Sequence, residues 1–315
     1  MTRAGVPALF LAAGLAAGTA RGMDVTADSA GRLGPDNRWS DVASLTISPV
    51  KRVSLVISGG RSRVEEPLAD RIDSAGAAVS AELVPRVTGT VGWLAGTGAR
   101  ARLIDGSALA PSGNSNRRER HSLYSFDLAV RAFDAATGEA ADEDAFLQSV
   151  TLAVGATTGA HRMPLEAVGG SPAGLPSQAR VADLAMTGGV TLEMEGTTLS
   201  VATARHRYGW PAGIDRGPLD GLFGAAPDGV EPVFPGLPNW DVAVRYREAL
   251  PWQGASATLS YAYTRLVAPP GIARTFSAEL GWSLARWLSV RGGILWLRHG
   301  GETTRFGLGG ASLFF

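Results

Sequence analysis

Hydrophobic and polar residues alternate with a period of two along most of the chain. In the segment SATLSYAYT, Leu259, Tyr261 and Tyr263 alternate with serine, threonine and alanine. The segments WDVAVRYR, RTFSAELGWS and HSLYSFDLAVRAF show the same alternation. A period of two is typical of β-strands that present two different faces, whereas helical periodicity is scarce. The pattern therefore predicts an all-β protein.

The two faces of these strands differ in chemistry. One face is aromatic and aliphatic, and the other consists of serine, threonine, glycine and alanine with a few charges. A soluble β-sandwich would bury bulky aliphatic residues and expose larger polar groups. A bulky face towards lipid and a small, hydroxyl-rich face towards a wet interior are typical of a transmembrane barrel. We therefore expect a transmembrane antiparallel up-and-down β-barrel.

The connections between strands are alternately short and long. Tight turns are predicted near Pro49, Pro85, Gly196, Pro251 and Ala285. Longer polar or Gly/Pro-rich stretches occupy residues 65–73, 101–118, 162–177 and 209–237. A membrane barrel needs only short turns on its periplasmic side, while its outer loops are free to grow. The predicted strands number about fourteen, or about twelve if the weak first strand is lost with a partner. They lie near residues 23–30, 38–48, 52–64, 74–84, 87–100, 119–133, 145–160, 178–194, 197–208, 238–248, 254–266, 272–283, 287–299 and 302–315.

The N-terminus has the pattern of a secretory signal peptide. Arg3 is followed by an apolar run that closes on the small residues Gly18, Thr19 and Ala20. This run is too short for a membrane anchor, and Pro7 weakens it further as a helix. We predict a signal peptide over residues 1–22 and a barrel domain over residues 23–315.

Composition and candidate chemistry narrow the function. The chain has 29 basic and 29 acidic residues, which gives no electrostatic case for nucleic acid. It has no cysteine, which suits passage through an oxidising periplasm. No metal-ligand spacing or cofactor motif occurs, so we expect neither a metal nor a cofactor. Polar surface positions are expected for the four histidines, which are His121, His161, His206 and His299.

The last ten residues, FGLGGASLFF, resemble the C-terminal signature of bacterial outer-membrane β-barrel proteins. The resemblance is carried by the terminal Phe315 and the alternating Leu313 and Ala311. It implies recognition of Phe315 by the barrel-assembly machinery, export through the periplasm and insertion into a Gram-negative outer membrane. Phe306 and Leu308 have the opposite parity, so we expect a bulge at Gly309–Gly310 that returns both to the lipid side.

Charged residues on the small-residue face are the candidate pore lining. Parity counted from the aromatic positions predicts that eight of them point into the lumen. Glu279 and Arg291 lie on either side of a turn around Ala285, so we expect this pair to be directly opposite. Charges inside a barrel can orient polar solutes. The eight residues are Asp127, Arg131, Asp183, Asp241, Arg245, Arg247, Glu279 and Arg291.

The predicted function is passive passage of small polar solutes through a porin-like channel. The long stretch 209–237 is apolar and Pro-rich, and we expect it to fold into or over the mouth. Four acidic residues would then narrow the pore: Asp215, Asp220, Asp228 and Glu231. The alternative is a barrel enzyme or a surface-binding protein that uses the outer rim. The cluster RHRYGW is either a solvated loop base or a contact for lipopolysaccharide phosphates.

Overall fold

The computed structural model describes residues 23–35, 39–63, 71–98, 119–135, 146–164, 178–209, 237–268, 271–299 and 301–315. Within these residues the chain forms fourteen antiparallel strands that close into one barrel, with β1 paired to β14. This confirms the predicted fold with fourteen strands rather than twelve. In chain order the strands β1 to β14 are Asp24–Leu33, Trp39–Val50, Val53–Arg63, Arg71–Val84, Val87–Gly98, Glu119–Asp134, Leu147–Pro164, Gln178–Met194, Thr197–Gly209, Leu237–Ala249, Ala255–Ala268, Gly271–Ala285, Leu288–His299 and Glu302–Phe314.

Every strand pairs with its two neighbours in sequence, and the first and last strands close the circle. Closure leaves no free sheet edge, so the backbone groups along the wall are paired within the barrel. The C-terminus takes part in this closure. Phe315 donates its backbone N–H to the carbonyl of Val25 at 2.9 Å and accepts from the N–H of Val25 at 3.3 Å. Among the described residues, no helix is long and apolar enough to cross a membrane.

The two ends of the barrel have different connections. At one end, which we call the short-turn end, β2 connects to β3, β4 to β5, β8 to β9 and β12 to β13 through two-residue turns. Gly196 has a φ of 66°, which glycine adopts at no steric cost, and it lies in the β8–β9 turn. The opposite end, the long-loop end, joins β5 to β6, β7 to β8 and β9 to β10 through the longest connections. The predicted alternation of connections is therefore present.

One face of the wall carries large exposed apolar side chains. Val91 is 60% exposed, Phe126 is 52% exposed and Met186 is 69% exposed. The register sets such residues side by side around the barrel, as in the pair of Tyr261 with Phe276. We call this the outer face, and we call the face with the small and hydroxyl-bearing residues the inner face.

Aromatic residues gather at both ends of the outer surface. Trp252 and Trp287 lie at the short-turn end and are exposed. At the long-loop end, Trp240 packs edge-on against Tyr263 with ring centroids 5.8 Å apart. Two aromatic belts at the two membrane interfaces are typical of membrane barrels.

An apolar cluster lies on the inner face near the long-loop end. Phe306 is 3% exposed and packs with Ala273, Leu295 and Leu297, and Leu308 adds to this group. The expected bulge at Gly309–Gly310 is wrong, because β13 and β14 pair without a register shift from Leu288↔Leu313 to His299↔Glu302. Phe306 therefore stays opposite Leu295 on the inner face. Burial among these neighbours replaces the lipid contact that we had expected.

Candidate solute pathway

The register places all eight charged residues of the predicted pore lining on the inner face. Arg245 pairs across the sheet with Ser200 and Ser260, so its neighbours on this face are hydroxyls. Arg245 and Arg247 are both exposed and form no ion pair with any residue that the structure describes. Asp241 lies on β10 with these two arginines. The remaining five charged residues lie on four other strands: Asp127 and Arg131 on β6, Asp183 on β8, Glu279 on β12 and Arg291 on β13.

A polar cavity lies next to Arg247 at the short-turn end of the inner face. Its volume is about 350 Å³. Serines and a threonine from four strands line it together with the guanidinium of Arg247. The hydroxyl-bearing lining residues are Thr198, Ser256, Ser283 and Ser289. Such a cavity offers hydrogen-bond partners to a small polar or anionic solute.

Asp127 is held in place halfway along the wall. The hydroxyl of Thr187, two strands away, donates to Oδ1 of Asp127 at 3.4 Å. The carboxylate passes over Gly155 of β7, where an added Cβ would collide with Oδ1 of Asp127. A glycine at position 155 is therefore needed for this contact across the intervening strand. Arg131 forms a separate ion pair with Asp134 at 3.2 Å near the short-turn end.

The expected direct pairing of Glu279 with Arg291 is wrong. Glu279 is opposite Gly293, and Arg291 is opposite Gly281. The turn is formed by residues 286–287 and not centred on Ala285, which moves the pairing by three residues, and an irregularity at Ser283/Ala285 moves it back by one. Strand neighbours offset by two residues are about 7–8 Å apart, so the pair is diagonal.

The two side chains of that pair also lie over different strands. A Cβ added at Gly293 would lie 2.9 Å from Cγ of Glu279, so the glutamate extends over β13. A Cβ added at Gly310 would lie 2.6 Å from Nε of Arg291, so the arginine extends over β14. Among the described residues no ion pair joins Glu279 to Arg291. Both charges nevertheless remain on the inner face.

A buried ionic cluster that we did not predict lies on the inner face of β8, β9 and β10. Nδ1 of His206 lies 3.4 Å from Oδ1 of Asp183, and Nε2 of His206 lies 3.6 Å from Oδ2 of Asp241. The side chains are 4% exposed for His206, 2% for Asp183 and 14% for Asp241. The ring of Tyr208 stacks on that of His206 with centroids 6.0 Å apart and planes 9° apart. Nδ1 is within hydrogen-bond distance of Asp183, whereas Nε2 lies just beyond that distance from Asp241, so the imidazole is flanked by two carboxylates.

The surface position expected for His206 is therefore wrong. In the sequence RHRYG, Arg205 and Arg207 point to the outer face, whereas His206 and Tyr208 point inward. The sequence does indicate that His206 points inward. His206 lies an even number of residues from Ser200 on the same strand, and Ser200 is opposite Arg245 on the inner face. The side chains of His121, His161 and His299 lie outside the described part of the structure.

The predicted loop constriction also lies outside the described residues. This applies to Asp215, Asp220, Asp228 and Glu231. The described strands on either side of this connection, β9 and β10, carry His206 and Asp241 near their long-loop ends. Within the described residues, no group of three or more acidic or histidine side chains could hold a metal ion.

No protein-family model matches the sequence, and no curated protein matches it. Solved structures do match in fold. The CymD monoaromatic hydrocarbon channel has 8% sequence identity and a TM-score of 0.53, covering 99% of this chain and 93% of its own. The outer membrane protein OpdK from Pseudomonas aeruginosa has 12% identity and a TM-score of 0.41, covering 93% of this chain and 98% of its own. The chain thus has the fold of outer-membrane channel barrels, and at such identities the likeness concerns the fold alone.

Proposed function

We propose that the protein is an outer-membrane channel for the passive passage of small polar solutes. The observation that carries this proposal is the inner face of a closed fourteen-strand barrel, where exposed arginines stand among serine and threonine hydroxyls. A wall of this size encloses a lumen wide enough for water unless a segment fills it. Purified protein in a planar lipid bilayer should give stable single-channel current steps. A bilayer that takes up the barrel without such steps would contradict the proposal.

The inner face favours polar over apolar solutes. CymD is named as a channel for monoaromatic hydrocarbons. Here the inner-face apolar residues are buried, with Phe306 at 3% and Leu297 at 4% exposure, so they offer little surface to a passing solute. The exposed inner-face groups include the guanidiniums of Arg245 and Arg247. We therefore propose polar, and preferably anionic, solutes.

The alternative of a barrel enzyme gains no support from the buried ionic cluster. A catalytic histidine holds a carboxylate on one nitrogen and offers the other to a nucleophile or water. Both nitrogens of His206 face carboxylates, and the side chain is 4% exposed, so a substrate has little access to it. We propose that this cluster has a structural role in the wall.

The arginines of β10 should set the charge preference of the channel. Replacing Arg245 and Arg247 together with glutamine removes two exposed positive charges from the inner face. We expect the anion-to-cation permeability ratio to fall by about twofold or more, because charges lining a pore select against ions of the same sign. Reversal potentials in a salt gradient measure this ratio. The matched control is Arg274→Gln with Arg298→Gln, which removes the same charge from the outer face and should leave the ratio unchanged.

Glu279 and Arg291 should shift selectivity in opposite directions although they do not pair. Glu279→Gln leaves more positive charge on the inner face and should favour anions, whereas Arg291→Gln should favour cations. Each substitution should change stability little, on the order of 0–1 kcal/mol. Reversal potentials of both single variants test this. Shifts of the same sign in both would show that these residues do not line the conducting path.

The long connection between β9 and β10 is proposed to narrow the mouth through Asp215, Asp220, Asp228 and Glu231. Excising part of residues 210–236 should raise single-channel conductance, because the charged constriction would be gone. A control excision of similar length in the β5–β6 connection separates this effect from general loosening of the loops. Equal conductance before and after the excision within 210–236 would contradict the constriction.

We propose that residues 1–22 are removed as a signal peptide, that the chain then crosses the periplasm, and that the barrel-assembly machinery recognises Phe315. The pairing of Phe315 with Val25 supports a role for the terminal residue in closing the barrel. Outer-membrane lipid and lipopolysaccharide are the proposed surroundings of the outer face.

A further inference from the structure

Among the side chains that the structure describes, six exposed arginines project from the outer face near the long-loop end. Each lies within four residues of that end of its strand, and each side chain is exposed. None forms an ion pair with a residue that the structure describes. We call them the arginine girdle, and they are Arg205, Arg207, Arg265, Arg274, Arg298 and Arg305.

The arginine girdle is confined to one end of the barrel. In the short-turn half of the same strands, the described outer-face positions carry no arginine and are mostly apolar. Leu259, Leu280 and Trp282 are typical of them, with exposures of 44%, 45% and 40%. On the outer face of these strands, exposed arginines are therefore confined to the long-loop half, although Arg286 is exposed in the turn at the other end. The ligand of the girdle should be an anionic group that is abundant at the interface of the long-loop end.

Two of these arginines flank a groove in the outer wall. The register places Arg205 and Arg265 on either side of Trp240. The groove has a volume of about 500 Å³, and its lining includes Met186 and Gly188 as well as these three residues. The two arginine backbones are two strand spacings apart, about 10 Å, so both side chains can reach one group placed above the tryptophan.

Trp240 forms a rigid wall of this groove. Its indole N–H donates to the hydroxyl of Thr203 at 3.1 Å, and that hydroxyl donates to the backbone carbonyl of Asp241 at 2.9 Å. The edge contact with Tyr263 supports the ring from the other side. A tryptophan that is fixed in this way marks the membrane interface, where phosphate headgroups meet acyl chains.

The floor of the groove is apolar and open. Met186 is 69% exposed beside it. A Cβ added at Gly188 would meet no atom closer than 3.9 Å, so the glycine leaves unfilled space. Guanidiniums bind phosphate through paired charge-assisted hydrogen bonds, and an apolar trough suits a hydrocarbon chain. The lining thus combines the two requirements of a phosphorylated lipid.

We propose that the groove between Arg205 and Arg265 binds the lipid A part of lipopolysaccharide. A phosphate lies between the two guanidiniums beside Trp240, and an acyl chain lies along Met186 and Gly188. This inference rests on the proposed outer-membrane location with the long-loop end outward. It does not depend on channel activity, so a barrel that fails to conduct can still bind lipid A.

The test uses the full-length barrel purified in detergent and diphosphoryl lipid A as the probe. Native mass spectrometry counts bound lipid A over a titration. Arg205→Gln with Arg265→Gln should weaken binding by about tenfold or more, because both guanidiniums that hold the phosphate are lost. The matched control, Arg274→Gln with Arg298→Gln, removes two girdle charges away from the groove and should weaken binding much less. Equal loss in both double variants would overturn the groove as the site.

Two further measurements distinguish a lipid A site from a site for free phosphate. Gly188→Leu keeps both arginines and fills the floor, and it should also weaken lipid A binding. Unchanged binding in this variant would overturn the proposal, because the acyl chain would lie elsewhere. Inorganic phosphate at millimolar concentration should not displace lipid A, and full displacement would show a free-phosphate site instead. Heat-modifiable mobility on gels confirms that each variant is folded before it is compared.

Discussion

Replacing His206 with alanine is expected to lower the free energy of unfolding of the barrel by about 3 kcal/mol, because the change removes the imidazole that separates the buried carboxylate of Asp183 from the half-buried carboxylate of Asp241. Asp183 is 2% exposed and lies 3.4 Å from Nδ1 of His206, and Asp241 lies 3.6 Å from Nε2. Without the imidazole, two like charges on strands that flank β9 face one another across a cavity. Urea unfolding in lipid vesicles, followed by tryptophan fluorescence, measures the change.

Two further variants show whether charge is the cause. Asp241→Asn in the His206→Ala background removes one of the two carboxylates and should recover part of the lost stability. Arg207→Ala is the matched control, because it changes the next residue of the same strand on the exposed outer face, and it should cost little. If Arg207→Ala costs as much as His206→Ala, or if Asp241→Asn recovers nothing, the ionic cluster is not what stabilises this part of the wall.

The strands could be predicted because alternation is a local property of the chain. Each residue of a strand points to the face opposite to that of its neighbour, whatever the other strands do. Parity counted from Tyr261 or Phe276 therefore placed Glu279 correctly without knowledge of its partners. The same local reasoning assigned all eight charged residues to the inner face. It also gave the order of short and long connections, since turn-forming residues act within a few positions.

Register between strands could not be predicted to the residue. Arg291 was placed on the correct face but at the wrong height relative to Glu279. The position of the turn at residues 286–287 and the irregularity at Ser283/Ala285 decide this height, and both depend on side-chain packing at the end of the hairpin. A shift of two positions keeps parity, so the error leaves the faces intact and changes only the pairing.

Burial on the inner face could not be predicted from any one strand. His206 is buried because Asp183 on β8 and Asp241 on β10 approach it from both sides. These contacts join residues far apart in sequence, and the alternation around His206 does not indicate them. Phe306 was assigned to lipid for a related reason. An aromatic residue in a barrel strand normally faces lipid, and only the apolar neighbours on β12 and β13 make an inner position favourable.

Charge is unevenly distributed along the inner face. The described long-loop half holds Asp183, His206 and Asp241 in contact, which places one imidazole between two carboxylates. The short-turn half holds the exposed Arg245 and Arg247 together with the cavity beside Arg247. Glu279 lies at the same height as Arg247, two strands away across Thr258, so both signs of charge are present in this half.

Replacing Phe306 with alanine is expected to lower the free energy of unfolding by about 3–5 kcal/mol, the usual range for a buried phenylalanine. Phe306 is 3% exposed, and its ring contacts Leu295 and Leu297 on the neighbouring strand. An added Cβ at Gly34 would collide with this ring, so the phenylalanine also packs against the chain just after β1. Removing the ring leaves a cavity that spans the seam between β14 and β1. Urea unfolding in vesicles gives the change in free energy.

The matched control for this substitution is Phe126→Ala on the outer face. Phe126 is 52% exposed, so its removal leaves a gap that lipid fills and should cost much less than the loss of Phe306. A stability loss that is equal in both variants would show that the ring of Phe306 does not pack inside the barrel.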